Sequence, residues 1–202
     1  MATRCAHYAH LALRFRELCA KFIDAEVAAE DADLAGFIPD LDKIAAFRLL
    51  LHAEVETFLE EKAKEKLLAL ERDIKSAVWH RNNPQILSLY LLTGNYISKS
   101  DFIADDALRD HFFQLIGSAR KKIKENNGIK EQSFIFLSVI AGKSLDEIDV
   151  TTSAMLNSFG KNRGDVAHNS AVRSKTLLSP FSERKNGEAI VYALSSYFDL
   201  EE

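Results

Sequence analysis

Apolar positions recur along this chain with the spacing of α-helices, and residues that break helices are few. From about Thr3 to Leu34 the sequence mixes Ala, Leu and long polar residues without Pro or Gly, which predicts one long helix. Gly36, Phe37, Ile38 and Pro39 interrupt it, and Asp40 stands where it can cap the next helix. That second helix is predicted from Leu41 towards Trp79, a length of about 55 Å at 1.5 Å per residue. Ile44, Phe47, Leu51, Val55 and Phe58 fall within about 40° of one another on a helical wheel and predict a core-facing stripe. Glu54 lies at the edge of the stripe, whereas Arg48, His52 and Glu56 follow at i, i+4 and i+8 as a polar ladder on its flank. The run His80-Arg81-Asn82-Asn83-Pro84 ends the helix.

A short helix over Gln85–Leu92 and a loop over Thr93–Ser100 are expected next. A helix starting at Asp105 or Asp106 then turns Leu108, Phe112, Leu115 and Ile116 inward and ends in a basic cluster before Asn126-Asn127-Gly128. Ser133–Ala141 reads as helix, although its apolar run also suits a buried strand. Ser144 and Glu147 have capping-box spacing. Thr151 or Thr152 is expected to cap the helix that leads into residues 162–168, Pro180 falls in a loop, and Asn186–Phe198 closes the chain as a helix. With no repeats and no clear linker, the pattern predicts a single all-α domain over residues 1–202. Its expected frame is a helical bundle with two long antiparallel helices plus shorter C-terminal helices.

Composition narrows this further. Eight Gly and three Pro in 202 residues are too few for the frequent turns of a β-sandwich or barrel. Apolar residues at 47% and charged residues at 28% suit a globular chain rather than a disordered one. Cys5 and Cys19 on one helix would sit roughly 21 Å apart along its axis, too far for a disulfide, so reduced thiols in a cytoplasmic protein are expected. The first residues lack a continuous apolar core of the signal-peptide type, and no window resembles a membrane span. A net charge of −4 predicts no nucleic-acid partner by itself. The charges are nonetheless segregated. Asp24, Glu26, Glu30, Asp31, Asp33, Asp40 and Asp42 form an acidic stretch, while Arg120, Lys121, Lys122, Lys124 and Lys130 form a basic cluster and Lys161, Arg163, Arg173 and Lys175 another. Such a surface suits RNA or an acidic partner as well as ordinary solvated helix faces.

Candidate chemistry is limited. His7 and His10 stand at i, i+3 without a third ligand, no paired-Cys or His-Glu-x-x-His spacing occurs, and no Gly-rich phosphate loop is present, so neither metal nor cofactor is expected. The remaining candidate is Arg163 with His168, four residues between them. A neutral imidazole can take the proton of a ribose 2′-hydroxyl or protonate a leaving 5′-oxygen. A guanidinium can hold the phosphate and stabilise the charge that develops on it. Spacing alone decides little, since Arg4 and His10 make a similar match, with five residues between them.

Context adds weight to the Arg163 copy. It sits in Leu156-Asn157-Ser158-Phe159-Gly160-Lys161-Asn162-Arg163-Gly164-Asp165-Val166-Ala167-His168, late in a helix, and upstream stands His52-Ala53-Glu54-Val55-Glu56-Thr57-Phe58-Leu59. The two segments, in this order, resemble the HEPN superfamily of all-α proteins, in particular its RiboL-PSP-like branch, over roughly residues 40 to 170. The resemblance implies a HEPN-like fold and a metal-independent endoribonuclease of toxin or antiphage-defence type. Such an enzyme leaves 2′,3′-cyclic phosphate and 5′-OH ends and works as a homodimer whose composite site lies at the interface. It implies Arg163 and His168 as the catalytic pair, with Glu56 and His52 in support and Glu54 as a rival to Glu56. Lys161, Arg173 and Lys175 are weaker candidates for RNA contact, and a nucleotidyltransferase-like antitoxin is an implied partner. The family often has Asn or Asp directly after the motif Arg, whereas this chain has Gly164 there and Asp165 one residue later.

Plainer readings stand beside these. Arg163 can pair with Asp165, His168 can sit as a cation at a helix C-terminus, and His52 with Glu56 can be a surface i, i+4 pair. On an ideal helix Arg163 and His168 point about 140° apart with ~7.5 Å of rise, so a second subunit is one way to complete the site. The alternative function is a non-catalytic helical HEPN module that binds a partner protein or nucleotide.

Overall fold

Long runs of good helix formers with few breakers become helices here. The computed structural model describes residues 3–76, 86, 88, 89 and 105–201, and these are mostly helical with almost no strand. In chain order the helices are α1 (Ala6–Leu18), α2 (Asp24–Ala32), α3 (Leu41–Lys75), α4 (Asp105–Lys124), α5 (Glu131–Ile140), α6 (Val150–His168) and α7 (Pro180–Phe198). Two-residue strands, β1 (Thr3–Arg4) and β2 (Leu200–Glu201), pair in parallel with Thr3 opposite Leu200. The stop expected at His80–Pro84 and the loop over Thr93–Ser100 lie outside the described residues. Of the Gln85–Leu92 segment, only Ile86, Ser88 and Leu89 are described.

The described residues gather into two compact units. The first comprises Met1–Phe58, Gly128–Glu131 and Asp149–Glu202. In it α1, α2 and α6 each pack against α7. The stripe read from the sequence is its centre: Ile44, Phe47, Leu51, Val55 and Phe58 are all buried. Tyr8 and Phe198 each meet Phe58 edge-on, with ring centroids 6.2 and 5.9 Å away. Burying a side chain of this class contributes about 1.5–3 kcal/mol, so this stripe is a main source of the unit's stability. Gly187 on α7 allows a close approach to Leu51 and Phe15. A Cβ there would stand 2.7 Å from Leu51 Cδ2 and 2.9 Å from Phe15 Cε2.

Four local departures from the sequence reading have physical causes. The first segment is not one uninterrupted α-helix from Thr3 to Leu34. Thr3 and Arg4 are extended, and between α1 and α2 the residues Cys19–Ile23 form a π-turn in which the Asp24 N–H reaches the Cys19 carbonyl. The buried residues Leu18 and Ile23 are five apart, and a turn with i→i+5 bonding keeps both facing inward. Second, α6 is capped by Asp149 rather than by Thr151 or Thr152, because the Asp149 carboxylate accepts from the N–H groups of both threonines. Third, the last helix begins at Pro180, before the expected Asn186. Pro occupies the first turn, where no N–H is needed, and Ser179 accepts from the Ser182 N–H. Last, Arg48 and His52 are buried, so the flank of α3 is packed rather than a solvated ladder. Asp40, by contrast, caps α3 as expected, accepting from the N–H groups of Asp42 and Lys43 at 3.2 Å. The left-handed Asp199 (φ 54°) ends α7 and turns the chain into β2.

The second unit comprises Leu59–Asn127 and Gln132–Ile148. Its core takes Leu59, Ala63, Leu67, Leu70 and Ile74 from the later part of α3, Phe112, Leu115, Ile116 and Ile123 from α4, and Phe134, Leu137 and Ile140 from α5. The segment that could have been helix or strand is helix α5. Ser144 and Glu147 form the expected capping box on a short 3-10 turn, Leu145–Glu147. Among the described residues no helix is long and apolar enough to cross a membrane.

Candidate functional site

The last two turns of α6 carry the residues singled out by the sequence. Arg163 is half-buried, and His168, on the final turn, is exposed. Lys161, Arg173 and Lys175 are exposed as well, and they flank this end of the helix in sequence. The charge of Arg163 acts on the imidazole of His52 on α3. Burial first, and the Arg163 charge second, push the His52 pKa from its ordinary value near 6.5 down to about 4. His52 is therefore neutral at physiological pH. Its ring stacks on Phe159 of α6, with centroids 6.1 Å apart and planes inclined by 25°. Among the described residues its buried Nδ1 atom has no hydrogen-bond partner, and the Glu56 carboxylate stands 3.7 Å away, beyond hydrogen-bond range.

Glu56 itself is tied down by the backbone, since its Oε1 accepts the Gly128 N–H. Glu54 points elsewhere. It accepts from Arg14 Nε at 2.8 Å and lies 3.8 Å from His10, so it belongs to the contacts of α1. Of the two acids weighed in the sequence, Glu56 is the one beside His52.

Asp165 does not pair with Arg163. Its carboxylate accepts from the hydroxyls of Ser174 at 2.6 Å and Thr176 at 3.0 Å, and from the Asn169 amide at 2.9 Å. Those hydroxyls hold its pKa below the usual carboxylate range. Asp165 thus fastens the loop after α6 to the helix. Among the described residues, neither the Arg163 nor the His168 side chain has a hydrogen bond or an ion pair, although both residues belong to the hydrogen-bonded backbone of α6. What the fold leaves at this end of α6 is a cation without a counter-ion, an exposed imidazole and three lysine or arginine neighbours.

A second polar group in the same unit was missed in the sequence. Arg48 of α3 is buried and forms an ion pair with Glu183 of α7. Its Nε donates to Glu183 Oε2 at 3.2 Å, Nη1 to the Thr176 hydroxyl at 2.9 Å, and Nη2 to the Thr176 carbonyl at 2.7 Å. Glu183 also accepts the Leu178 N–H at 3.0 Å. Thr176 joins this group to Asp165, so the buried pair and the loop after α6 form one network. The only sequence signal was the position of Arg48 four residues before His52. Nothing in the chain tied it to an acid 135 positions later.

Among the described residues, no group of three or more His, Cys, Asp or Glu side chains is placed to hold a metal ion. No protein-family model, curated protein or solved structure matches the chain.

Proposed function

We propose that this chain is a metal-independent endoribonuclease of HEPN type, acting in toxin or antiphage defence, with Arg163 and His168 as its catalytic pair. The observation that carries the reading is the state of Arg163. A half-buried guanidinium normally finds a carboxylate, yet Asp165 is committed to Ser174, Thr176 and Asn169, and Glu56 to Gly128. A phosphate would supply the missing negative charge, and guanidinium binds it with paired, charge-assisted hydrogen bonds. The imidazole of His168 is open to solvent at the same end of the helix and suits proton transfer at a 2′-hydroxyl or a 5′-oxygen. The nucleophile is the ribose 2′-OH: it gives its proton to a neutral imidazole as its oxygen bonds to phosphorus, the P–O5′ bond breaks, and an imidazolium returns a proton to the leaving 5′-oxygen, so that a 2′,3′-cyclic phosphate and a 5′-OH result.

His52, neutral and stacked on Phe159, serves as a positioning group next to Arg163, with Glu56 behind it. Because Arg163 and His168 diverge around the helix, the complete site in this reading is shared by two copies of the chain, each giving one face of α6. Lys161, Arg173 and Lys175 attract the RNA backbone. A nucleotidyltransferase-like antitoxin is the proposed partner that masks the site in the cytoplasm.

One observation favours a second reading, a non-catalytic HEPN module that binds a protein or nucleotide. Gly164 offers no side chain directly after Arg163, and Asp165, the nearest acid, is used by the loop.

The test is cleavage of total RNA in EDTA by wild type, Arg163→Ala and His168→Ala, with analysis of the fragment ends. Cyclic-phosphate ends made by wild type, and a loss of about 10²–10⁴-fold in either variant, are expected from the removal of an acid–base or charge-stabilising group. Melting temperatures should stay close to wild type. Full activity in His168→Ala sinks the nuclease reading. Absence of cleavage by all three proteins, with a partner retained from the native host, moves the conclusion to the binding module.

A further inference from the structure

The buried ion pair of the first unit borders a cleft of about 230 Å³ formed by α3, α6 and α7. Phe159 and Ile190 give it apolar walls, Ser158, Asn162 and Asn186 contribute polar groups, and Arg48 lines it beside Glu183. Arg48 has five N–H donors. Four are used: Nε and one Nη2 donor on Glu183, the other Nη2 donor on the Thr176 carbonyl, and one Nη1 donor on the Thr176 hydroxyl. One Nη1–H therefore remains without an acceptor among the described residues, on a side chain only 2% exposed. A buried donor left unpaired costs free energy that an incoming acceptor recovers.

The chemistry of the walls selects the ligand. Glu183 already neutralises Arg48, so the floor carries no net charge to attract an anion. Two carboxamides, each able to donate and accept, face an aromatic ring and an aliphatic side chain. That combination suits a flat, neutral heterocycle with hydrogen bonds at its edges and apolar faces. The volume is below the roughly 300–1,000 Å³ of pockets for larger organic ligands, which leaves room for one ring system. Asn162 directly precedes Arg163 on α6, so the cleft and the proposed scissile site are neighbours on one helix.

We propose that this cleft is a subsite for a single unpaired nucleobase. It rests on the nuclease reading for its connection to cleavage: the base held here belongs to the RNA whose phosphate lies on Arg163. Recognition of unpaired bases by an aromatic wall and by hydrogen bonds to their edges is the usual route to sequence preference in RNA binding. The subsite makes the protein select single-stranded RNA and a preferred base next to the cut.

The experiment compares wild type with Asn186→Trp and Ser158→Trp, which fill the cleft from exposed positions, each checked for an unchanged melting temperature. Binding is measured by anisotropy to 2′-O-methyl hexanucleotides of a single base each, which cannot be cleaved through the 2′-oxygen, and to the four nucleoside 5′-monophosphates. Cut sites on a mixed RNA are mapped in parallel. Wild type should prefer one base, and each Trp variant should lose about tenfold in affinity for it, the effect of one base contact, with a flatter distribution of cut sites. Wild-type affinity and cut sites in both Trp variants overturn the subsite while leaving the nuclease standing. Binding of monophosphates that the Trp variants abolish, in a protein that cuts no RNA, supports a base site that serves a free nucleotide and removes the nuclease reading. No binding to either probe overturns the subsite whatever the cleavage result.

Discussion

Arg48 on α3 and Arg163 on α6 belong to the same unit, and the fold surrounds their guanidinium groups in opposite ways. Arg48 is buried, paired with Glu183, and bonded to both polar oxygens of Thr176. Arg163 is half-buried and its charge acts on a neutral His52, while the carboxylate of Asp165, the acid nearest to it in sequence, is bonded to the loop after α6. One arginine holds three segments of the chain together. The other has no carboxylate partner among the described residues, which is what the proposed function asks of a phosphate-binding group. Arginine as a residue type says nothing of which role it plays. The position of the acids decides.

The sharpest way to break this contrast is to remove each guanidinium and read stability. Arg48→Ala leaves the Glu183 carboxylate buried and unpaired, and should cost about 3–5 kcal/mol in chemical denaturation. The double variant Arg48→Met, Glu183→Leu removes both charges and should recover most of that loss, because a buried ion pair is often matched by apolar packing. Arg163→Ala should change stability by only about 0.5 kcal/mol. Equal losses in Arg48→Ala and Arg163→Ala would erase the distinction between a structural and an available arginine.

His52 supplies a second probe, through pH. Its folded pKa of about 4 lies below the ordinary 6.5. Between those values the unfolded chain binds a proton that the folded protein refuses, so stability is complete above pH 6.5 and declines as pH falls towards 4. The shift corresponds to roughly 3 kcal/mol at most. His52→Phe keeps an aromatic ring against Phe159 but cannot titrate, and the fall in stability between pH 7 and pH 4 should shrink by that order. Arg163→Ala removes the lesser of the two causes, so an imidazole titration by NMR should show His52 moving up, though not back to its ordinary value. An unmoved His52 in Arg163→Ala would mean that the two groups do not feel each other.

Much of the helical fold was legible because its signals are local. The Ile44–Phe58 stripe, the Asp40 cap and the Ser144–Glu147 capping box each depend on residues within a few turns, and each stands where the sequence put it. The π-turn at Cys19–Ile23 was not visible, since its cause is the need to keep Leu18 and Ile23 on one buried face of a packed unit. The start of α7 lies earlier than the pattern predicts, because Pro180 reads as a loop signal although its ring also suits the first turn of a helix. In the candidate site, Arg163, His168, His52 and Glu56 were marked by spacing and by resemblance. The roles of Glu54 and Asp165 were open because an acid's partner is set by tertiary contacts with Arg14, Ser174 and Thr176. Arg48 and Glu183 were missed for the same reason, over a greater separation in the chain.

The smallest expected effect comes from the far end of α6. Asp149 caps that helix through the N–H groups of Thr151 and Thr152 and through the Thr152 hydroxyl, and those bonds hold its pKa below the usual carboxylate range. Asp149→Ala should cost about 1 kcal/mol, the usual loss for a helix N-cap. The cost arises where the first N–H groups of α6 lose their acceptor, several turns before Arg163 and His168. RNA cleavage at neutral pH should therefore match wild type at a temperature where both proteins are folded. If cleavage falls in Asp149→Ala as it does in Arg163→Ala, then the availability of Arg163 depends on the order of the whole helix. The contrast with Arg48 would then be one of rigidity rather than of missing acids.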